Sequence, residues 1–178
     1  SENRVTGSHT EDFDGAVYSR MSMKLDGTGS LRIEGDNEGL CSELHLTIDG
    51  GNLTIESGND GINANADGES VITVNGGTLG ITVTGSTGEG DGIDSNGSIV
   101  INGGTVESYA CADSGDFGLD ADLGVQLAGG TVIATGNMLD PIDEGGQTFA
   151  VFSFAQSQKA PYFTLKDMYA STVLEGQT

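Results

Sequence analysis

Pairs of adjacent glycines recur through the middle of the chain at a nearly constant interval. Gly50-Gly51, Gly76-Gly77, Gly103-Gly104 and Gly129-Gly130 follow one another at 26, 27 and 26 residues. Each pair separates two short runs in which apolar and polar residues alternate, as in LHLTIDGGNLTIES and VITVNGGTLGITVTG. Alternation with period two marks half-buried strands. A fixed period of this length marks a chain built from stacked repeats, and few folds tolerate it.

A second landmark lies between the glycine pairs. It reads DGIN (60–63), DGID (91–94), FGLD (117–120) and DPID (140–143), with looser forms EGLC (38–41) and GAVY (15–18). Its central apolar residues are Val17, Leu40, Ile62, Ile93, Leu119 and Ile142, spaced 23, 22, 31, 26 and 23 apart. Repeats that swell by a few residues fit a solenoid that places insertions in loops. The leucine-rich repeat frame is missing, and so is the nine-residue calcium-roll repeat. The expected fold is all-β: a single-stranded right-handed parallel β-helix of about six coils with a C-terminal aromatic β cap. Residues 1–13 read as a leader and 14–147 as the coils. Residues 148–178 read as capping strands, where TFAVFSF (148–154), APYFTLKDM (160–168) and STVL (171–174) replace the glycine period.

The charge is extreme. Asp and Glu number 27 against 6 Lys and Arg, a formal net of −21. No Lys or Arg occurs between Arg32 and Lys159. Such a chain repels nucleic acid, whose binding rests on Lys and Arg at phosphates. No run of 18 apolar residues suggests membrane insertion. No basic-then-apolar signal opens the sequence, and a start at Ser1 without methionine suggests a mature or trimmed form, which leaves export open. Cys41 and Cys111 could form one bridge or remain two free thiols, and two thiols are the expectation.

Stacking the coils turns the landmark into columns. Equivalent residues on paired strands sit about 4.8 Å apart. If Ile62, Ile93, Leu119 and Ile142 point inward, the next residues point outward: Tyr18, Cys41, Asn63, Asp94, Asp120 and Asp143. Two positions before the inward residue run Glu38, Asp60, Asp91, Phe117 and Asp140. Unpaired like charges on neighbouring strands are destabilising. Calcium would relieve this, because it takes six to eight oxygen ligands. The candidate ligands are Asp60, Asn63, Glu89, Asp91, Asp94, Asp116, Asp120, Asp140 and Asp143. Asp-Gly pairs also serve turns for backbone reasons alone.

The phrases GTGSLRIEG (27–35), LTIDGGNLTIESGNDGINA (46–64), GEGDGIDSNGSIVINGGTV (88–106) and FGLDADLGVQLAGGTVIATG (117–136) resemble a bacterial carbohydrate-binding β-helix family. Its founding member comes from a cellulolytic Clostridium. The resemblance implies a right-handed parallel β-helix, like that of calcium-dependent pectate lyases, that binds calcium and cellulose or acidic plant polysaccharides at the cell surface. It also implies calcium ligands at Asp60, Asp91, Asp94 and Asp120, with Asp116 and Asp143 as further candidates. Phe117 stands where the family phrase carries an acid.

An eliminating lyase needs a Lys or Arg base beside the reacting proton, and the coils after Arg32 contain none. A hydrolase needs a carboxyl of raised pKa in an apolar pocket, whereas these acids are expected on solvated outer turns. His9 and His45 form no nucleophile constellation, and GSTGEGDG lacks the Lys of a phosphate loop. No catalytic residue is assigned. Calcium-dependent binding of a cell-wall polysaccharide by an extracellular or surface-bound monomer is the leading expectation. Tyr109 and Phe117 are the candidate sugar-contacting aromatics. A lyase and a non-catalytic adhesin stalk are the alternatives.

Overall fold

The computed structural model describes residues 2–156 and 162–177. Lys159 lies outside them. The described residues contain strands and no helix. Two compact units divide the chain at 147/148.

Strand β1 (Glu2–Gly7) opens the first unit. Five coils of three strands follow. The first holds β2 (Gly15–Ser19), β3 (Met23–Leu25) and β4 (Ser30–Gly35), and the second β5 (Glu38–Ser42), β6 (Leu46–Ile48) and β7 (Asn52–Ser57). The third holds β8 (Ile62–Ala64), β9 (Val71–Val74) and β10 (Thr78–Val83). The fourth holds β11 (Ile93–Ser95), β12 (Ser98–Ile101) and β13 (Thr105–Tyr109), and the fifth β14 (Leu119–Ala121), β15 (Gly124–Leu127) and β16 (Thr131–Thr135). Every third strand pairs in parallel, giving three sheets: β1-β4-β7-β10-β13-β16, β2-β5-β8-β11-β14 and β3-β6-β9-β12-β15. The fold is a parallel β-solenoid.

The register follows the apolar ladder. Val17 pairs with Leu40, Leu40 with Ile62, Ile62 with Ile93, and Ile93 with Leu119. Leu40, Ile62 and Ile93 are fully buried. Parallel ladders from the other two sheets face them: Leu46, Ile72, Ile99 and Val125 from one, Ile55 and Ile81 from the other. The interior is a dry aliphatic column of the kind that sheets covered by their own neighbours require.

The glycine pairs mark the corner between the second strand of each coil and the third. Gly77 has φ +85° and Gly104 φ +86°. A Cβ on Gly77 would lie 2.5 Å from the Gly51 carbonyl oxygen of the coil below. Backbone conformation and the close approach of stacked corners both demand glycine there.

Three expectations need correction. The solenoid completes five coils, not six. The sixth landmark forms only isolated bridges, Phe117 with Met138 and Val125 with Ile142. Ile142 therefore follows Val125 of β15 and does not extend the Leu119 ladder, which takes Asp143 off the outward column. Residues 2–7, set apart as leader, form the first strand of the six-stranded sheet. In the second unit, β17 (Tyr162–Lys166) and β18 (Thr172–Gln177) pair antiparallel, while 148–154 contains no strand and Phe149, Phe152 and Phe154 are exposed.

Ile93→Ala should cost about 2–5 kcal/mol in chemical denaturation, the usual range for emptying an aliphatic core position. Ile93→Asp should abolish the cooperative transition, because an unpaired charge would stand inside the column. A cooperatively folded Ile93→Asp variant would contradict this register.

Candidate functional site

The outward column forms from Tyr18 to Asp120, without Asp143. Tyr18 pairs with Cys41, Cys41 with Asn63, Asn63 with Asp94, and Asp94 with Asp120. The landmark glycine beside each acid is a packing requirement. A Cβ on Gly61 would lie 2.2 Å from Ile81 Cγ2 and 2.5 Å from the Gly92 carbonyl oxygen. The short second-sheet strands therefore press against the ladder of the facing sheet, and their acids come close to the protein body.

The acids two positions before the ladder form a staircase. Asp60 Oδ1 accepts the backbone N–H of Asp91 at 2.8 Å, and Asp91 Oδ1 accepts that of Phe117 at 2.5 Å. Each carboxylate thus holds the equivalent residue of the next coil. This explains Phe117: the last step needs only a backbone N–H, which any residue but proline supplies. Asp116 accepts the Gly90 N–H at 3.0 Å and the Ser114 hydroxyl. Asp140 accepts the Ala121 N–H at 2.8 Å.

At the lower end Asn63 Nδ2 donates to Glu38 Oε1 at 2.8 Å and to Asp60 Oδ2 at 3.1 Å. Glu38 is 5% exposed, Asp60 7% and Asn63 9%. Asp91, Asp94 and Asp120 are half-buried, and Glu89 is exposed. The expectation of solvated outer turns is thus wrong for the central acids. Among the described residues the cations of the first unit are engaged near its start. Arg4 and Arg32 pair with Glu34, Arg32 also with Glu56, and Lys24 with Asp49. Arg20 lies over the Phe13 ring.

Burial without a cation governs protonation here. It pushes Asp60 up to about 7, against the hydrogen bond from the Asp91 N–H, and Asp91 up to about 6, against that from Phe117. Asp94 rises to about 8, through burial first and then its neighbours Asp60 and Asp120. Asp120 is also raised, by burial and by its hydrogen bond with Asp140. Glu38 is raised by burial.

The structure brings Asp60, Asn63, Asp91, Asp94 and Asp120 into two adjoining columns and sets Asp140 beside Asp120. Asp143 lies against Gly124 instead. The donor set is nearly all oxygen, and buried Glu38 Oε2 and Asn63 Oδ1 have no hydrogen-bond partner. Hard divalent cations take such donors, although among the described residues the column acids do not bring three ligand atoms within 4.8 Å of one another. Tyr109 and Phe117 are both half-buried; Tyr109 lies in β13 of the six-stranded sheet and Phe117 just before β14. Glu38 had a place in the predicted column but was not among the candidate ligands. Its position two residues before Leu40 was the available signal.

These shifts set a pH dependence for the metal-free protein. A carboxyl whose folded pKa lies above its unfolded value favours folding below the unfolded pKa, and that contribution is lost as pH rises through the folded one. In chelator, the melting temperature should therefore fall between about pH 4 and about pH 8, the range from the ordinary aspartate value to that of Asp94. Asp94→Asn should flatten the decline. A melting temperature in chelator that rises across this window would contradict the assignment.

No curated protein and no solved structure matches the chain. The family described as carbohydrate-binding domain-containing protein matches residues 1–152. That span includes β1, all five coils and every residue of the acidic columns. The chain belongs to this family of carbohydrate-binding domain-containing proteins.

Proposed function

We propose that the chain binds an acidic or cellulosic plant cell-wall polysaccharide at the bacterial cell surface, with Ca2+ held by Asp60, Asn63, Asp91, Asp94 and Asp120. One observation carries the reading: two adjoining columns of largely buried carboxylates have no cationic side chain paired with them among the described residues. Opposed like charges on adjacent strands repel. Family membership supports the sugar; the donor chemistry supports the ion.

The residues divide the work. Asp60 and Asp91 each use Oδ1 to hold the next coil; Asp91 keeps Oδ2 for a ligand, while Asp60 Oδ2 would have to exchange its Asn63 amide for the ion. Asp94 and Asp120 stand on the adjoining outward column. Asp140 is a further oxygen donor beside Asp120. Asp116, Glu89 and Asp143 lie off these columns and take secondary parts. Bound calcium would supply the positive charge that lets a uronate approach a chain of net charge −21. Tyr109 and Phe117 offer ring surface for neutral sugar faces.

A second reading has one observation in its favour. Carboxyls raised as far as Asp60 and Asp94 suit a general acid. New reducing ends released from a bound polysaccharide, and lost in Asp94→Asn, would favour a hydrolase.

Polygalacturonate and cellulose binding should be measured in chelator, in calcium and in magnesium. Polygalacturonate binding should vanish in chelator, return with calcium and return weakly with magnesium, which holds its waters and demands a smaller site. At 100 times its Kd, one calcium ion should add about 2.7 kcal/mol of stability. Asp91→Asn and Asp94→Asn should weaken binding, and Lys166→Ala should leave it unchanged. Equal binding in chelator would overturn the calcium reading.

A further inference from the structure

The outward column changes character toward its first coils. Above Asn63 it carries Asp94 and Asp120; below it carries Cys41 and Tyr18. Asp14, Glu38 and Cys41 each bring a ligand atom to this lower end, and the three atoms lie within 4.8 Å of one another. Cys41 is fully buried and Glu38 is 5% exposed.

One further observation points to a ligand. Glu38 Oε2 and Asn63 Oδ1 are buried acceptors with no hydrogen-bond partner. Unpaired buried acceptors are rare, and each calls for an electropositive partner. The Asn63 amide already touches Glu38 Oε1, and turning it over exchanges its oxygen and nitrogen. That would aim Asn63 Oδ1 at the same point. Asn65 Nδ2 also donates to Cys41 Sγ at 3.6 Å, and burial with the neighbouring Glu38 pushes the metal-free thiol up so that it keeps its proton.

We propose that Asp14, Glu38 and Cys41 form a zinc site, with Asn63 supplying a fourth, oxygen donor. The sulfur decides the metal. Calcium and magnesium take oxygen ligands, whereas thiolate together with carboxylate is zinc chemistry, at about 2.3 Å for sulfur and about 2.0–2.2 Å for oxygen. Donor atoms of a tetrahedral zinc ion lie about 3.3–3.7 Å apart, so atoms found within 4.8 Å of one another need only a small closure on binding. On binding, the Cys41 S–H bond breaks, a Zn–S bond forms and the proton passes to solvent. The site shares Asn63 with the calcium reading, whose ions are held by oxygen alone, and the Cys41 sulfur tells the two apart.

The chain contains two cysteines, and both are free thiols. In a Cys111→Ala variant, Cys41 is therefore the sole sulfur nucleophile. Cobalt(II) added to that variant should give the thiolate-to-cobalt charge-transfer absorption of the near ultraviolet, and one equivalent of zinc should abolish it. Zinc titration against a chromophoric chelator should show one tight equivalent. Cys41→Ala should weaken that equivalent by at least about 100-fold, the upper end for loss of a partner that merely orients a ligand. Glu38→Gln should weaken it as well. A Cys111→Ala protein that gives no charge-transfer band would overturn the proposal, and so would zinc affinity unchanged in a folded Cys41→Ala protein. Since neither assay contains polysaccharide, failure here leaves the calcium reading intact, and the reverse holds too.

Discussion

Like residues stacked directly on like residues, one coil above another, is the constraint on which the rest of this molecule depends. Parallel pairing in register leaves the side chains of equivalent positions about 4.8 Å apart. For Leu40, Ile62, Ile93 and Leu119 the consequence is favourable, because an unbroken aliphatic column forms and water is excluded. The neighbouring residue in each coil stacks just as faithfully. Asn63, Asp94 and Asp120 are brought together by the same pairing that builds the core. The acidic column cannot slip out of register without dragging the aliphatic one with it.

This coupling explains why the acids are both costly and retained in place. Part of the cost is offset locally: Asp60 and Asp91 take backbone N–H groups from the next coil and so act as struts between coils. The remaining oxygens stand among other carboxylates, and burial drives their pKa values up. A protonated column and a cation-filled column are two answers to the same electrostatic problem. Near neutral pH, with Asp60 close to 7 and Asp94 close to 8, the balance between them is open to small changes in the surroundings.

Much of this was legible in the sequence, for a geometric reason. Glycine pairs at a 26-residue period and one apolar residue per landmark identify strands that stack, and stacking fixes register from Val17 to Leu119. Two matters were not legible. Ile142 belongs to a motif that resembles its predecessors, yet with no complete coil beyond it the segment settles beside Val125. Local sequence does not record where an array stops. Burial of the acids was also hidden. Alternation tells inward from outward, but the loops that lead into β11 and β14 fold back and donate to Asp60 and Asp91, which only the three-dimensional path reveals. The cluster at Asp14, Glu38 and Cys41 lies at the two loosest forms of the landmark, GAVY and EGLC, where a thiol and a glutamate replace the aspartates of later coils.

The third coil contains the longest interval of the ladder, 31 residues from Ile62 to Ile93, yet the strands on either side remain in step. Ile55 still faces Ile81, and Leu79 still faces Val106. The extra chain is divided between two corners, residues 65–70 between β8 and β9 and residues 84–92 between β10 and β11, the latter next to the carboxylates of Asp60 and Asp91. Chain length and phase are therefore uncoupled at these corners. Thr84 and Thr87 still bond to Ser57 and Gly58 of the coil below, so it is the exposed tip at Gly88 and Glu89 that offers a place to graft a new recognition loop.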